Sequence, residues 1–264
     1  MFTMNFTDAK QRFSNRVADY VRYRPGYPPA VLDLLRAECR LRPGHVIADI
    51  GSGTGFLSEL FLKNGNRVYG AEPNAEMRQA GEDFLASYDG FASIAGSAES
   101  TTLDDSSVDF VTAGQAFHWF EQSAARREFA RILKPHGWVV VLWNERLTDT
   151  TPFLRDYEDL IRKFGTDYSR VNESYPREEQ MRNFFQHNSY RQERLPNFQV
   201  FDFEGLAGRV RSSSYMPAQG HPNFTPMMAE LDTVFRAHQQ HGSVRIEYLT
   251  RLYFGHLRHD GDPG

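Results

Sequence analysis

Asp49, Gly51, Gly53, Gly55 and Glu72 have the types and the spacing to hold a ligand rich in hydroxyl groups. In "VIADIGSGTGFLSEL", residues 46–60, an apolar run ends in an acid and glycines follow at every second position. Glycine is disfavoured in strands and helices alike, so the three mark a tight turn whose backbone N–H groups a ligand can approach. "RVYGAEP", 67–73, is a second run ending in an acid, and its Glu72 lies 21 residues after Gly51 (72 − 51). A carboxylate placed there can accept hydrogen bonds from both hydroxyls of a ribose, each worth about 1.5–3 kcal/mol with a charged acceptor. Phe56 stands where the G-x-G-x-x-G pattern carries its last glycine. The residues therefore imply a nucleoside-containing cofactor and disfavour a pyrophosphate.

Two further stretches belong to the same crevice. "GSAES", 96–100, offers Ser97, Ala98 and Glu99 to an adenine edge, and "TAGQAFHWF", 112–120, crosses the mouth. Phe117, Trp119 and Phe120 have two readings there, lining the mouth or packing the next helix. His118 is the best-placed proton acceptor, because imidazole titrates near neutrality. The nine histidines include the helically spaced pairs His238/His241 and His256/His259. Both read as surface features, so no metal is implied.

These residues need a scaffold that brings successive loops together. Strands are predicted at 45–50, 67–71, 91–95, 108–113 and 137–143, with helices at about 55–63, 74–87 and 121–133. Such alternation predicts a parallel sheet with helices on both faces, and the ends of its adjacent strands share one crevice. Upstream, Phe13, Val17, Tyr20 and Val21 predict a helix over 8–24, stopped by prolines 25, 28 and 29, with a second helix at about 30–39. Beyond 145 the rhythm breaks: helices are predicted over 151–164, 175–187, 206–215 and 225–240, and strands over 198–205 and 244–255.

With 40% hydrophobic and 14% aromatic residues, the 264-residue chain can bury a substantial core. Its net charge of −4, from 30 basic and 34 acidic residues mixed throughout, provides no general attraction to nucleic acid or an anionic membrane. Cys39 is the only cysteine, which rules out an intrachain disulfide and suggests a reducing compartment. The N-terminus lacks a signal-peptide pattern, and the longest apolar run, Trp138 to Trp143, is too short to cross a bilayer. A soluble, cytoplasmic protein is expected, as a monomer or homodimer.

Together the motifs resemble the class I S-adenosylmethionine-dependent methyltransferases, in particular the methyltransferase type 11 group. "VIADIGSGTGFLS" is similar to its first motif, "VYGAEPNAEM" to its second, and "GSAESTTLDDSSVDFVTAGQAFHWF" and "FARILKPHGWVVVLWN" to its third- to fifth-strand segments. The resemblance covers about residues 15–145 and implies S-adenosyl-L-methionine as cofactor, with S-adenosyl-L-homocysteine as product. It also implies an α/β fold with a doubly wound, mostly parallel seven-stranded Rossmann-like sheet, an antiparallel last strand and a helical cap. The expected organisation is an N-terminal helical lid (1–40), a cofactor-binding core (41–145), a helical substrate cap (146–197) and a segment completing the sheet (198–264). By this likeness the cofactor is held by Asp49, Gly51, Ser52, Gly53, Thr54, Gly55, Glu72, Pro73, Met77, Ser97, Ala98, Glu99, Gln115 and Ala116, with Met77 near the adenine.

"YVRYRPGYP" (20–28), "AFHWF" and "TRLYFG" are similar to trans-aconitate methyltransferase-like proteins, which act on small molecules, several of them carboxylic acids. That likeness implies Tyr20 and Arg24 over the methionine moiety and substrate contacts from Phe117, His118, Trp119, Ser214 and Tyr215. A sulfonium is an activated methyl donor, so the enzyme must mainly align acceptor and methyl. A carboxylate with a pKa near ~4 needs no base at pH 7, whereas a phenol or protonated amine needs His118 as the catalytic base. Trp119 or Phe117 facing the sulfonium would add a cation–π contact of about 0.5–2 kcal/mol. Arg24, Arg209 and Arg211 are the candidates to pair with an acidic substrate. The competing readings are a phenol, amine or carbon acceptor, a nicotinamide-dependent dehydrogenase, and a non-catalytic cofactor-binding subunit.

Overall fold

The computed structural model describes residues 22–166, 168, 178–186 and 190–257. Most of the helix expected over 8–24, including Tyr20, lies outside the described residues. The strands are β1 Val46–Ile50, β2 Arg67–Ala71, β3 Phe91–Ile94, β4 Val108–Gly114, β5 Leu133–Arg146, β6 Arg191–Phe201 and β7 Val244–Gly255. The helices are α1 Ala30–Cys39, α2 Phe56–Lys63, α3 Ala75–Leu85, α4 Gln122–Ile132, α5 Pro152–Phe164, α6 Glu178–Phe184, α7 Phe203–Arg211 and α8 Phe224–His238.

The strands form one sheet in the order β3-β2-β1-β4-β5-β7-β6, and β1 to β5 pair in parallel. Asn144 meets Thr250, while the Leu147 N–H donates to the Glu247 carbonyl, so β7 runs against β5. Tyr248 meets Gln199 and Phe254 meets Arg191, so β7 also runs against β6. The last strand is therefore the antiparallel one, as expected. The central strands read as unbroken apolar runs because both faces are covered: Ala48, Ile50, Val111, Val139 and Val141 pack on one face of the sheet, Ile47, Phe110, Val140 and Leu142 on the other. Strands covered on both faces lose the apolar–polar alternation.

The described residues divide into two compact units. A sheet unit takes in 26–144, 178–186, 190–195 and 250–257; a helical unit takes in 22–25, 145–166, 168 and 196–249. This differs from the four expected segments. α1 is no part of a lid, because Val31, Leu35 and Cys39 pack with Ile47 and Phe61 in the sheet unit. α6 likewise leaves the expected cap, with Met181 and Phe184 packed among Phe117 and Phe129.

Local chemistry moves two boundaries. The strand expected over 198–205 starts at Arg191 and ends at Phe201, since the Asp202 side chain accepts from the Gly205 N–H (2.8 Å) and caps α7. Pro196 fits within β6 because β6 is an edge strand. In the helical unit α5 begins with Thr151 capping Leu154 and Pro152 in the first turn, and it buries Phe153, Leu154, Tyr157, Leu160, Ile161 and Phe164 on one stripe.

Candidate functional site

β1 has β2 on one side and β4 on the other, and the chain crosses between them after β3. The loops leaving the C-terminal ends of β1 and β4 therefore part in opposite directions, which opens the ligand crevice of doubly wound sheets. Residues 51–55, 72–77, 97–99 and 115–119 all follow strand ends of this sheet unit.

The three glycines of the first loop adopt φ of +66° at Gly51, +56° at Gly53 and +91° at Gly55. That left-handed conformation is open to glycine at little cost. Neighbours add a second reason. A Cβ at Gly51 would stand 2.6 Å from the Ala116 Cβ, and one at Gly55 2.6 Å from Leu85 Cδ1, whereas at Gly53 it would meet only Met77 Cε at 3.4 Å. At Gly51 and Gly55 it is protein atoms that leave no room for a side chain. The turn's N–H groups are also used internally. Gly51 and Ser52 donate to the Ala71 carbonyl, Gly55 to the Ser52 carbonyl, and Gly53 to Glu72 Oε2 at 3.0 Å.

Glu72 is buried, and its second oxygen accepts from the Asn74 N–H at 2.8 Å. Asn74 in turn caps α3, its Oδ1 accepting from the N–H groups of Glu76 and Met77 at 3.0 Å each. Carboxylate oxygens each accept more than one bond. Backbone donors from both sides thereby orient Glu72 in a way compatible with hydroxyl ligands. Beside it Pro73 is exposed and Met77 buried.

Asp49 is fully buried, with Oδ2 accepting from Ser58 Oγ (2.7 Å) and Oδ1 from Thr112 Oγ1 (3.1 Å). Its carboxylate ties β1 to α2 and β4. Burial pushes its pKa from 3.8 to about 7, with Glu72 adding to the rise and the two hydroxyls opposing it. Between these values the folded protein holds a proton that the unfolded chain releases. The stability contribution is therefore complete below the unfolded pKa and is lost as pH rises through about 7. Thermal melts of wild type are expected to lose more stability from pH 5 to 7.5 than those of Asp49→Asn, which has no proton to release. Equal pH slopes would reject this assignment.

The other expected contacts are placed as follows. Thr54 is buried and its Oγ1 has no partner among the described residues. Ser97 bridges Ser100 and its Oγ accepts from the Glu99 N–H, while Ala98 is buried. Glu99 Oε1 accepts from the Glu121 N–H (2.9 Å), joining this loop to the start of α4.

At the mouth, Gln115 holds a φ of +57° and exchanges bonds with Asn144: Oε1 accepts from the Asn144 N–H (3.2 Å), and Nε2 donates to the Asn144 carbonyl (3.4 Å). Asn144 is a buried junction that sequence reasoning missed, bonded also to the Gly26 carbonyl and Thr250 Oγ1. The available signal was a polar residue closing the apolar run "VVVLWN". Ala116 abuts Gly51. Phe117, expected at the substrate, is 1% exposed and packs edge-on against Phe184 at 4.9 Å, so it belongs to the core.

His118 and Trp119 remain partly exposed, and the imidazole lies 4.3 Å from the Trp119 ring and 5.0 Å from Trp143. Its Nδ1 is buried without a hydrogen-bond partner among the described residues. Burial drives its pKa down from 6.5 to about 4. His118 is therefore neutral at pH 7 and a weak base. Its Cε1 proton is expected to show no NMR titration between pH 5.5 and 8; a midpoint near 6.5 would show a solvated ring.

Arg24, Ser214 and Tyr215 fall in the helical unit. Arg24 Nη2 donates to the Ser212 carbonyl (3.1 Å), Ser214 is half-buried, and Tyr215 is buried beside Tyr168 with ring centroids 5.2 Å apart. Among the described residues no group of three or more His, Cys, Asp or Glu side chains could hold a metal ion. No helix among them is long and apolar enough to cross a membrane.

Residues 48–141 match the family profile of a methyltransferase domain, spanning β1 to β5 and every loop of the crevice. The chain is 32% identical over 163 residues to an uncharacterized methyltransferase from Mycobacterium tuberculosis, a match covering 62% of this chain and 64% of that protein. The matched region thus spans somewhat under two thirds of that relative's length. In fold the chain is similar to a candidate type II methyltransferase from Anaeromyxobacter dehalogenans, with a TM-score of 0.64, 19% identity and coverage of 89% of this chain and 98% of that one. It is also similar to a candidate S-adenosyl-L-methionine-dependent methyltransferase from Methanococcus maripaludis, with a TM-score of 0.52, 19% identity and coverage of 73% and 90%.

Proposed function

We propose that this protein is an S-adenosyl-L-methionine-dependent methyltransferase acting on a small-molecule acceptor, with a carboxylic acid as the acceptor class. The observation that carries the reading is Glu72, clamped between the Gly53 and Asn74 N–H groups at the switch point of the sheet. A fixed, buried carboxylate beside a glycine turn suits the paired hydroxyls of an adenosine ribose. The open flank of Gly53 and the apolar surfaces of Met77 and Ala98 suit the uncharged adenosine better than a pyrophosphate.

When bound, the cofactor supplies a methyl group on a sulfonium, already activated for transfer. Glu72 holds the ribose, Asp49 anchors the turn from beneath through Ser58 and Thr112, and Gln115 with Asn144 sets the loop before His118. Trp119 presents an aromatic surface to the cation. His118, held neutral by burial, adds no repelling positive charge. Its low basicity favours an acceptor that is already ionised, and a carboxylate meets that condition at pH 7.

Calorimetry of the full chain with S-adenosylhomocysteine, NAD and NADP tests the cofactor. Binding of the first alone is expected; binding of NAD or NADP without it would overturn the reading. Transfer of labelled methyl to a panel of acids, phenols and amines tests the acceptor class, with turnover on acids expected and turnover restricted to amines or phenols contradicting it.

A further inference from the structure

Arg209 is a buried cation that the methyl-donor site does not use. It sits on α7 beside Leu206 and Val210, on the face packed into the helical unit, and is 5% exposed. Its Nε donates to Tyr248 OH at 3.4 Å and its Nη1 to Ser213 Oγ at 2.9 Å, both neutral partners. Nη2 makes no bond among the described residues and is not sealed from solvent. No carboxylate among the described residues pairs with this guanidinium. Arginine cannot relieve the cost by shedding a proton, so an uncompensated charge is retained where apolar packing would be more stable.

Among the described residues, the acid that pairs with the neighbouring Arg146 is already committed. Glu158 accepts from Arg146 and from Tyr168 OH through Oε2, and from Arg162 Nε through Oε1. Arg146 is itself buried, and its Nη1, sealed from solvent, has no hydrogen-bond partner among the described residues. Arg209 and Arg146 both act on the phenols of Tyr157 and Tyr215. Burial by itself would raise the Tyr215 pKa, yet Arg209, Arg24 and Arg146 outweigh it and hold that phenol below its ordinary value. The result is an electropositive centre walled by tyrosines, all of it within one unit.

We propose that this centre binds the carboxylate of a small organic acid, seated on Arg209, with the buried Arg146 adding its positive charge nearby. A planar guanidinium matches a carboxylate in shape, and one unbalanced buried charge matches a monoanion. The tyrosine rings suit an organic body better than an inorganic anion. Identifying the bound acid with the methyl acceptor rests on the function proposed above; the anion seat does not.

The test is thermal shift and calorimetry on the full chain with acetate, succinate, citrate and benzoate, against succinamide, benzamide, phosphate and chloride. At least one carboxylate is expected to raise the melting temperature saturably, with its amide and the inorganic anions at least tenfold weaker. In Arg209→Met that carboxylate response is expected to vanish while the ligand-free melting temperature holds or rises. Arg209→Lys, which keeps the charge but loses the fork, is expected to bind the acid at least tenfold more weakly. Indifference of wild type to all four acids, equal response to phosphate, or binding unchanged within twofold in Arg209→Lys would overturn the proposal. Carboxylate binding without S-adenosylhomocysteine binding would keep the seat and sink the methyl-transfer reading; the reverse would sink the seat alone.

Discussion

Replacing Glu72 with alanine is expected to weaken S-adenosylhomocysteine binding by about 2–4 kcal/mol, roughly 30- to 1000-fold, because two ribose bonds to a charged acceptor disappear together. The structure adds a second consequence. Gly53 and Asn74 lose the acceptor for their N–H groups, so the glycine turn and the start of α3 lose a common anchor. Glu72→Gln separates the two effects, since its amide oxygen can still accept one bond while the charge is gone. An intermediate loss is expected for it. Calorimetry measures both variants, and a change below tenfold in Glu72→Ala would count against placing the ribose here.

The second large effect is on stability. Gly51→Ala forces an L-residue into a φ of +66° and brings its Cβ within 2.6 Å of the Ala116 Cβ. The left-handed backbone costs about 1–2 kcal/mol and the overpacking about 1–3 kcal/mol, together roughly 2–5 kcal/mol. At about 2–4 °C per kcal/mol for a chain of this size, the melting temperature should fall by roughly 4–20 °C. Gly44→Ala is the control: its Cβ would meet nothing within 4 Å and its φ is not positive. Equal melting temperatures for the two variants would mean that the loop carrying Ala116 yields freely, contrary to its tie through Gln115 and Asn144.

Much of the sheet unit was legible in the chain. The apolar runs ending in Asp49 and Glu72 became β1 and β2 within a residue or two of the predicted bounds, because a strand buried on both faces must be apolar throughout. Glycine spacing was legible for a backbone reason, since positive φ at 51, 53 and 55 is a local property. Phe117 was misplaced because alternation within "AFHWF" does not say which ring faces the core. That depends on Phe184, which lies 67 positions away (184 − 117) yet packs edge-on against it. The boundary at Asp202 was misread because alternation through "FQVFDFEG" masks a helix cap.

By itself the sequence determined the alternating α/β pattern, the glycine turn and the two strand-end acids, all products of local backbone preference and period. Only the tertiary structure decided that Glu72 is clamped by Gly53 and Asn74, that Asp49 is sealed beneath the turn, and that burial leaves His118 neutral. It also decided which arginine lies buried with no acid beside it among the described residues. Arg24, Arg209 and Arg211 are alike as residues; Arg209 stands apart through its burial among Tyr157, Tyr215 and Tyr248, drawn from positions spread over some ninety residues (248 − 157). Desolvation and charge compensation depend on everything within a few ångströms, and the order of residues along the chain does not specify that neighbourhood.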